Sequence, residues 1–179
     1  NPESAYSRIT LGRTLVRKGD LDGAEAMYRR SIDIYRSLPA KYEYRKALAL
    51  FNLGDVLIQR SKFDEAIAVL NEGFPVFAKM GDSWEQFTGL AYFARAHFQR
   101  RDYDATLEYS KRAIALGERI KLEKTVDYLV TLNYLGLSLT RTGKPSEAEP
   151  YLRKFYEISF RDHPDGDIQR AYAEGSLGE

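Results

Sequence analysis

A phrase of helix, tight turn and helix recurs along this 179-residue chain, and its spacing constrains the fold more than any other feature. The clearest copy is "LNYLGLSLTRTGKPSEAEPYL", Leu132 to Leu152. The small residue in its first helix, Gly136, belongs to a series Gly12, Gly54, Ala94, Gly136 and Gly178, spaced by 42, 40, 42 and 42 residues. A second mark, early in the second helix, falls on Ala24, Ala66, Thr106 and Ala148 and keeps the same step. Two marks in step at a period of this size mean a stack of like units. The units are helix pairs, because apolar residues such as Ile9, Leu15 and Val16, or Leu50, Leu53 and Leu57, recur with helical spacing and not with strand alternation. One pair cannot bury both of its apolar faces, so several must stack around a continuous core.

The expected architecture is all-α: a right-handed solenoid of antiparallel helix pairs, about four repeats plus one C-terminal helix, in a single unit over residues 1–179. The repeats fall at about 4–39, 41–81, 83–121 and 123–163, with a partial repeat at 166–179. Turn and stop signals punctuate them. Gly19 tolerates positive φ, Asp20 can cap the following helix, and Pro39 stops it. Ser4 is a candidate cap for the first helix and Asp82 or Ser83 for the fifth. Pro75 lies well inside its helix and is expected to kink it. Trp84, the one tryptophan, stands at the head of a helix, where it is expected to seal an inter-repeat joint. Leu177-Gly178 matches Leu11-Gly12, Leu53-Gly54 and Leu135-Gly136, so the chain stops in mid-repeat. That points to a fragment of a longer array, or to a lone helix capping the fourth pair.

Each marker glycine costs about 1 kcal/mol relative to alanine inside a helix. Such a residue implies a close approach. The expectation is small facing small: Gly12, Gly54 and Gly136 against Ala24, Ala66 and Ala148, with Tyr28, Leu70 and Leu152 filling the gaps on either side.

Little in the composition suggests chemistry. The 27 basic and 26 acidic residues nearly cancel, leaving +1, so no global field draws the chain to nucleic acid or a membrane. There is no cysteine, hence no thiolate nucleophile or cysteine metal site. No run of about 18 apolar residues is present, and a cytoplasmic location is the expectation. His97 and His163 are not paired at metal-ligand spacing. His97 occupies the position of Leu15, Leu57 and Leu139 and is expected to pack in the seam; His163 belongs to the "DHPD" loop. Asp20/Asp22, Asp64/Glu65 and Glu147/Glu149 lie in first turns, where they complement the helix dipole. No phosphate loop, nucleophile elbow or kinase motif occurs. The expectation is no enzyme and no cofactor or metal.

The leucine and small residue of the first helix, the glycine of the turn and the alanine of the second helix together resemble the tetratricopeptide repeat. The resemblance covers essentially the whole chain, although the period is 40–42 residues where about 34 is usual. "TGKPSEAEPYLRKFYEI…DHPD", Thr142 to Asp165, more narrowly resembles the kinesin light chain type, which also occurs in bacterial signalling proteins and carries "GKYxEAEPLxxRALEI…DHPD". Here Pro145 replaces the aromatic, and Ala148 to His163 is only 15 residues, one helical turn short. The resemblance implies a concave groove that binds extended or helical peptides. Its outward row reads Tyr6, Arg13, Val16 and Arg17; Phe51, Asn52, Asp55 and Gln59; Thr88, Tyr92, Arg95 and Gln99; Val130, Asn133, Tyr134, Leu137 and Arg141; then Tyr172. Arginine and tyrosine are favoured at binding hot spots, and asparagine and glutamine can pair with peptide amides. Arg13, Arg17, Arg95 and Arg141 give the row local positive charge, which suits an acidic or C-terminal-carboxylate peptide. The carboxylate clamp of this repeat family needs lysine and asparagine where Ile9 and Arg13 stand, so a chaperone-tail role is not implied. The leading expectation is a protein-interaction scaffold. A regulatory or sensory module of a larger bacterial kinase or transcription regulator, and self-association through terminal helices, are the alternatives. Nucleic acid is disfavoured, because the aromatics are no denser than the core requires.

Overall fold

A computed structural model describes residues 1–162 of the chain. His163, Tyr172, Gly178 and the expected helix at 166–179 lie outside the described residues. Within them are eight α-helices and no strand. The helices are α1 Pro2–Arg17, α2 Leu21–Arg36, α3 Glu43–Gln59, α4 Phe63–Ala78, α5 Trp84–Gln99, α6 Tyr103–Arg119, α7 Val126–Arg141 and α8 Pro145–Asp162. A single 3₁₀ turn, Ala40–Tyr42, leads into α3.

Local chemistry sets the helix boundaries. Asn1, and not Ser4, caps α1: its Oδ1 accepts from the Glu3 amide at 2.9 Å. Asp20 accepts from the Gly23 amide at 2.8 Å. Ser83 caps α5 and Thr125 caps α7, while Asp82 turns instead to Arg119. The pair-internal turns after α1 and α7 use Gly19 and Gly143 at φ near +79° and +78°. The corresponding turns after α3 and α5 place Ser61 and Arg101 in the same left-handed region. α4 runs on through Pro75 for three further residues before ending at Ala78.

The marker glycines work differently from the expected small-on-small contact. A Cβ on Gly12 would lie 2.6 Å from the Tyr28 ring, on Gly54 2.8 Å from Leu70, and on Gly136 2.4 Å from Leu152. Each glycine therefore receives the large residue one turn beyond the alanine mark: the helices meet small against large. Ala24, Ala66 and Ala148 are buried beside these contacts. In the third pair Ala94 replaces the glycine. By register, the residue standing where Tyr28, Leu70 and Leu152 stand is Ser110, also fully buried. The two positions vary in compensating size.

Successive pairs stack so that α1, α3, α5 and α7 touch one another in sequence, whereas the second helices make no comparable contact with each other. The more closely spaced layer is the inner, concave one. Neighbouring second helices are bridged by long side chains: Arg29–Glu65 at 2.6 Å, Arg36–Glu72 at 2.7 Å and Lys154–Glu118 at 2.6 Å. Glu25 is buried and takes Arg29 at 2.8 Å, Lys62 at 3.1 Å and Arg60. Between the second and third pairs the seam is shorter, with α4 and α5 meeting over fewer residues than α2 and α3 or α6 and α7. That joint is held by Phe51, whose ring inserts between Gly73 and Gly89: a Cβ would lie 3.0 Å and 2.5 Å from it, respectively.

Candidate partner-binding groove

Part of the expected row, Arg13, Val16, Arg17, Asn52, Asp55, Thr88 and Tyr92, comes together around two adjoining depressions on the first helices. The first, about 450 Å³, is lined by Thr10, Arg13, Val16, Arg17, Tyr28, Asn52 and Asp55. The second, about 380 Å³, shares Arg13 and Asn52 and continues along α3 and α5 past Tyr44, Leu48, Phe77, Trp84, Glu85, Thr88, Tyr92 and Asp127. The repeat explains this grouping. Residues at one register in successive first helices become neighbours across the groove, as in Thr10, Asn52, Tyr92 and Tyr134, or Arg13, Asp55, Arg95 and Leu137.

The charge pattern differs from the expected positive groove. Arg95 turns across to α3: its Nη2 pairs with the Asp55 carboxylate and reaches the Asp55 carbonyl at 3.4 Å. Its guanidinium also lies 5.4 Å from the centre of the Tyr92 ring. Asp55 accepts from Gln59 Nε2 at 2.9 Å as well. Arg95 and Asp55 thus neutralise one another. Free positive charge concentrates at the α1 end, where Arg13 and Arg17 are exposed and form no ion pair or hydrogen bond among the described residues. Arg141 is exposed at the far end of α7. Burial pushes the Tyr28 hydroxyl up to about 12, with Arg13 pulling the other way.

The other row residues divide by burial. Asn52 is half-buried, and its amide nitrogen donates to the Leu48 carbonyl at 2.7 Å. Tyr92, Tyr134 and Asn133 are half-buried; Gln59 and Gln99 are exposed. Tyr134 rests on Phe98 with ring centres 4.7 Å apart, and burial raises its hydroxyl above the usual range. Phe51, expected to face outward, is 5% exposed. It is drawn into the core because Gly73 and Gly89 open a slot for its ring.

Trp84 departs from expectation in the other direction. It is 47% exposed and stands at the mouth of the second depression, its ring 6.0 Å from that of Phe87. Tyr44 is 39% exposed beside it, and its hydroxyl donates to Glu85 at 2.8 Å. Val126 is exposed on α7 at the same register. This apolar lip escaped the outward row, which was read from Tyr6 onward. Carried one further turn toward the helix starts, the register gives Pro2, Tyr44, Trp84 and Val126, and beside it Glu3, Arg45, Glu85 and Asp127. Burial pushes the Asp127 carboxyl up, Arg95 pulls it down, and the like charge of Asp55 adds to the upward push. His97 packs in the seam as expected, stacked 5.4 Å from Tyr109 with Nδ1 2.9 Å from Asp102.

Among the described residues no group of acidic, histidine or cysteine side chains is arranged to hold a metal ion, and no helix is long and apolar enough to cross a membrane.

The family model described as tetratricopeptide repeat matches residues 2–79 and 87–159. The chain belongs to the tetratricopeptide repeat family. The unmatched stretch between the two blocks holds Trp84 and Glu85. Solved structures similar to this tetratricopeptide repeat chain include a kinesin-light-chain-type protein of nearly identical TPR-like repeats from Podosopora anserina, with TM-score 0.73 and 15% identity over 92% of this chain and 78% of that one. BtubC (BKLC) from P. vanneervenii has TM-score 0.77 and 21% identity over 88% of this chain. Aspartyl phosphate phosphatase F from Bacillus subtilis has TM-score 0.75 and 15% identity over 98% of it. The chain spans 64% of BtubC and 51% of the phosphatase. No curated protein sequence matches it. The tetratricopeptide repeat is a scaffold family of protein-interaction modules, and the neighbours include kinesin-light-chain-like members.

Proposed function

We propose that this chain is a cytoplasmic, non-enzymatic scaffold that binds a peptide or partner segment in its concave groove. The observation that carries the reading is the pair of adjoining depressions on the inner helices, joined at Arg13 and Asn52. A depression between helices, lined by apolar walls and a few convergent polar groups, is a usual shape for recognition. The partner-binding residues are Arg13, Arg17, Asn52, Asp55, Gln59, Tyr92, Arg95, Gln99, Asn133, Tyr134 and Arg141, with Tyr44 and Trp84 added at the lip. Their roles differ. Arg13 and Arg17 supply the positive charge that receives a carboxylate of the segment. Arg95 and Asp55 brace the floor. Asn52 offers an acceptor to a backbone amide.

A peptide array probed with the wild-type chain and with the double variant Arg13→Glu, Arg17→Glu tests this. Capture of carboxylate-bearing peptides is expected to fall at least tenfold in the variant. Equal capture by both proteins would remove the groove assignment. A second reading, a regulatory module within a longer signalling protein, draws on the likeness to the Bacillus subtilis phosphatase, about half of which the chain spans. A complete reading frame without a signalling or catalytic region would defeat it.

A further inference from the structure

We propose that the second depression is a subsite for a lysine or arginine side chain of the bound segment, an assignment that rests on the groove function above. Its walls are aromatic. Tyr44 and Trp84 stand half-exposed at its mouth, with Phe77 and Tyr92 behind them. Aromatic faces attract cations through the ring quadrupole, tryptophan most strongly. Two carboxylates open onto the same space. Glu85 accepts the Tyr44 hydroxyl through Oε1 at 2.8 Å, which leaves Oε2 without that donor. The Asp127 carboxylate is half-buried and forms no hydrogen bond or ion pair among the described residues; Arg95, whose charge it feels, gives its hydrogen bond to Asp55. Thr88 also lines the depression, with its hydroxyl oxygen turned away from solvent.

These groups discriminate between side chains. A partly desolvated carboxylate without a hydrogen-bond partner is costly. An ammonium or guanidinium group compensates it while its methylene stem lies along the aromatic walls. A neutral apolar side chain would fill the same walls and leave Asp127 as it is. An acidic one would meet Glu85 and Asp127 at close range. The cation among the lining residues is Arg13, at the α1 edge, where it also borders the first depression. The two depressions therefore ask for opposite charges side by side: a carboxylate beside Arg13 and Arg17, and a basic side chain beside Trp84.

A displayed library of random linear peptides, selected on the full chain, tests the assignment. Recovered peptides are expected to share a lysine or arginine. Trp84 is the one tryptophan, so its emission reports titration of a recovered peptide and of its analogue with norleucine in place of the basic residue. The analogue should bind the wild-type chain at least tenfold more weakly. Asp127→Asn and Glu85→Gln should each weaken the parent peptide by a similar factor and change the analogue less than twofold, with thermal melting confirming that both variants are folded. Binders without a basic residue would overturn the subsite and leave the groove function standing. So would a basic residue whose removal costs the same in the variants as in the wild type. Recovery of no binder would overturn the groove function and this subsite with it.

Discussion

Several helix ends in this chain turn on residues that carry side chains where glycine is the easier choice. Ser61, Arg101 and Lys121 sit at φ of 59°, 63° and 64°. A left-handed residue with a Cβ costs about 1 kcal/mol or more. Ser61 is exposed, with no side-chain hydrogen bond among the described residues, so nothing local offsets that cost. Ser61→Gly is therefore expected to stabilise the chain by about 0.5–1 kcal/mol, read as a higher midpoint in urea; an unchanged or lower midpoint would show that the side chain earns its place. The glycine turns at Gly19 and Gly143 were legible from residue type alone. Phe51 was not, since its burial depends on two glycines elsewhere, Gly73 and Gly89, that carry no groove signal. The Arg95–Asp55 pair was implicit in the spacing: 55 and 95 are one register in adjacent repeats, and such residues face each other across the groove. Residue type suggested a positive Arg95; only position reveals its partner.

Between elements, size complementarity within each pair is the strongest specification. Three pairs set glycine against Tyr28, Leu70 or Leu152, and the third sets Ala94 at the register opposite Ser110. Ser110→Leu alone is expected to overpack and cost about 1–3 kcal/mol. Adding Ala94→Gly should recover most of that loss, because it recreates the arrangement of the other pairs. Additive costs in the double-mutant cycle would show that the two positions do not meet. Ion pairs between elements carry a second, pH-dependent contribution. Burial works against the Glu25 carboxylate, but hydrogen bonds from Arg29 and Lys62 outweigh it and hold its pKa below the ordinary glutamate value of 4.5. A carboxyl depressed in the folded state contributes stability that is fully present above its unfolded pKa and is lost as pH falls through the folded one. Stability should therefore decline on acidification below about pH 4.5, and Glu25→Gln should flatten that decline while lowering stability at pH 7. An equal slope in the variant would remove Glu25 from the account. The helix pairs and their period were legible in the sequence because each repeat restates them. The lip was harder to see, because the exposed aromatics Tyr44 and Trp84 stand in the first turn of their helices, where an aromatic reads equally well as the seal of a joint.

At the scale of the molecule the array is close to one-dimensional: among the described residues the main helix contacts lie within a pair or between adjacent pairs. Stability in such an array is close to a sum of unit and neighbour contributions, and terminal units, with one neighbour, fray first. Amide exchange in this chain should be slowest in α3 to α6 and fastest in α1 and α2; uniform protection would mean that the stack opens only as a whole. The joint between α4 and α5 gives this array a mechanical character. Treated as a curved beam, the solenoid has its shortest seam there, so bending compliance concentrates at that point. The second depression straddles the same joint, with Tyr44 and Phe77 on one side and Trp84 and Thr88 on the other. Whatever fills it acts as a strut across the softest section, and the curvature of the whole beam becomes a gauge of whether that section is loaded.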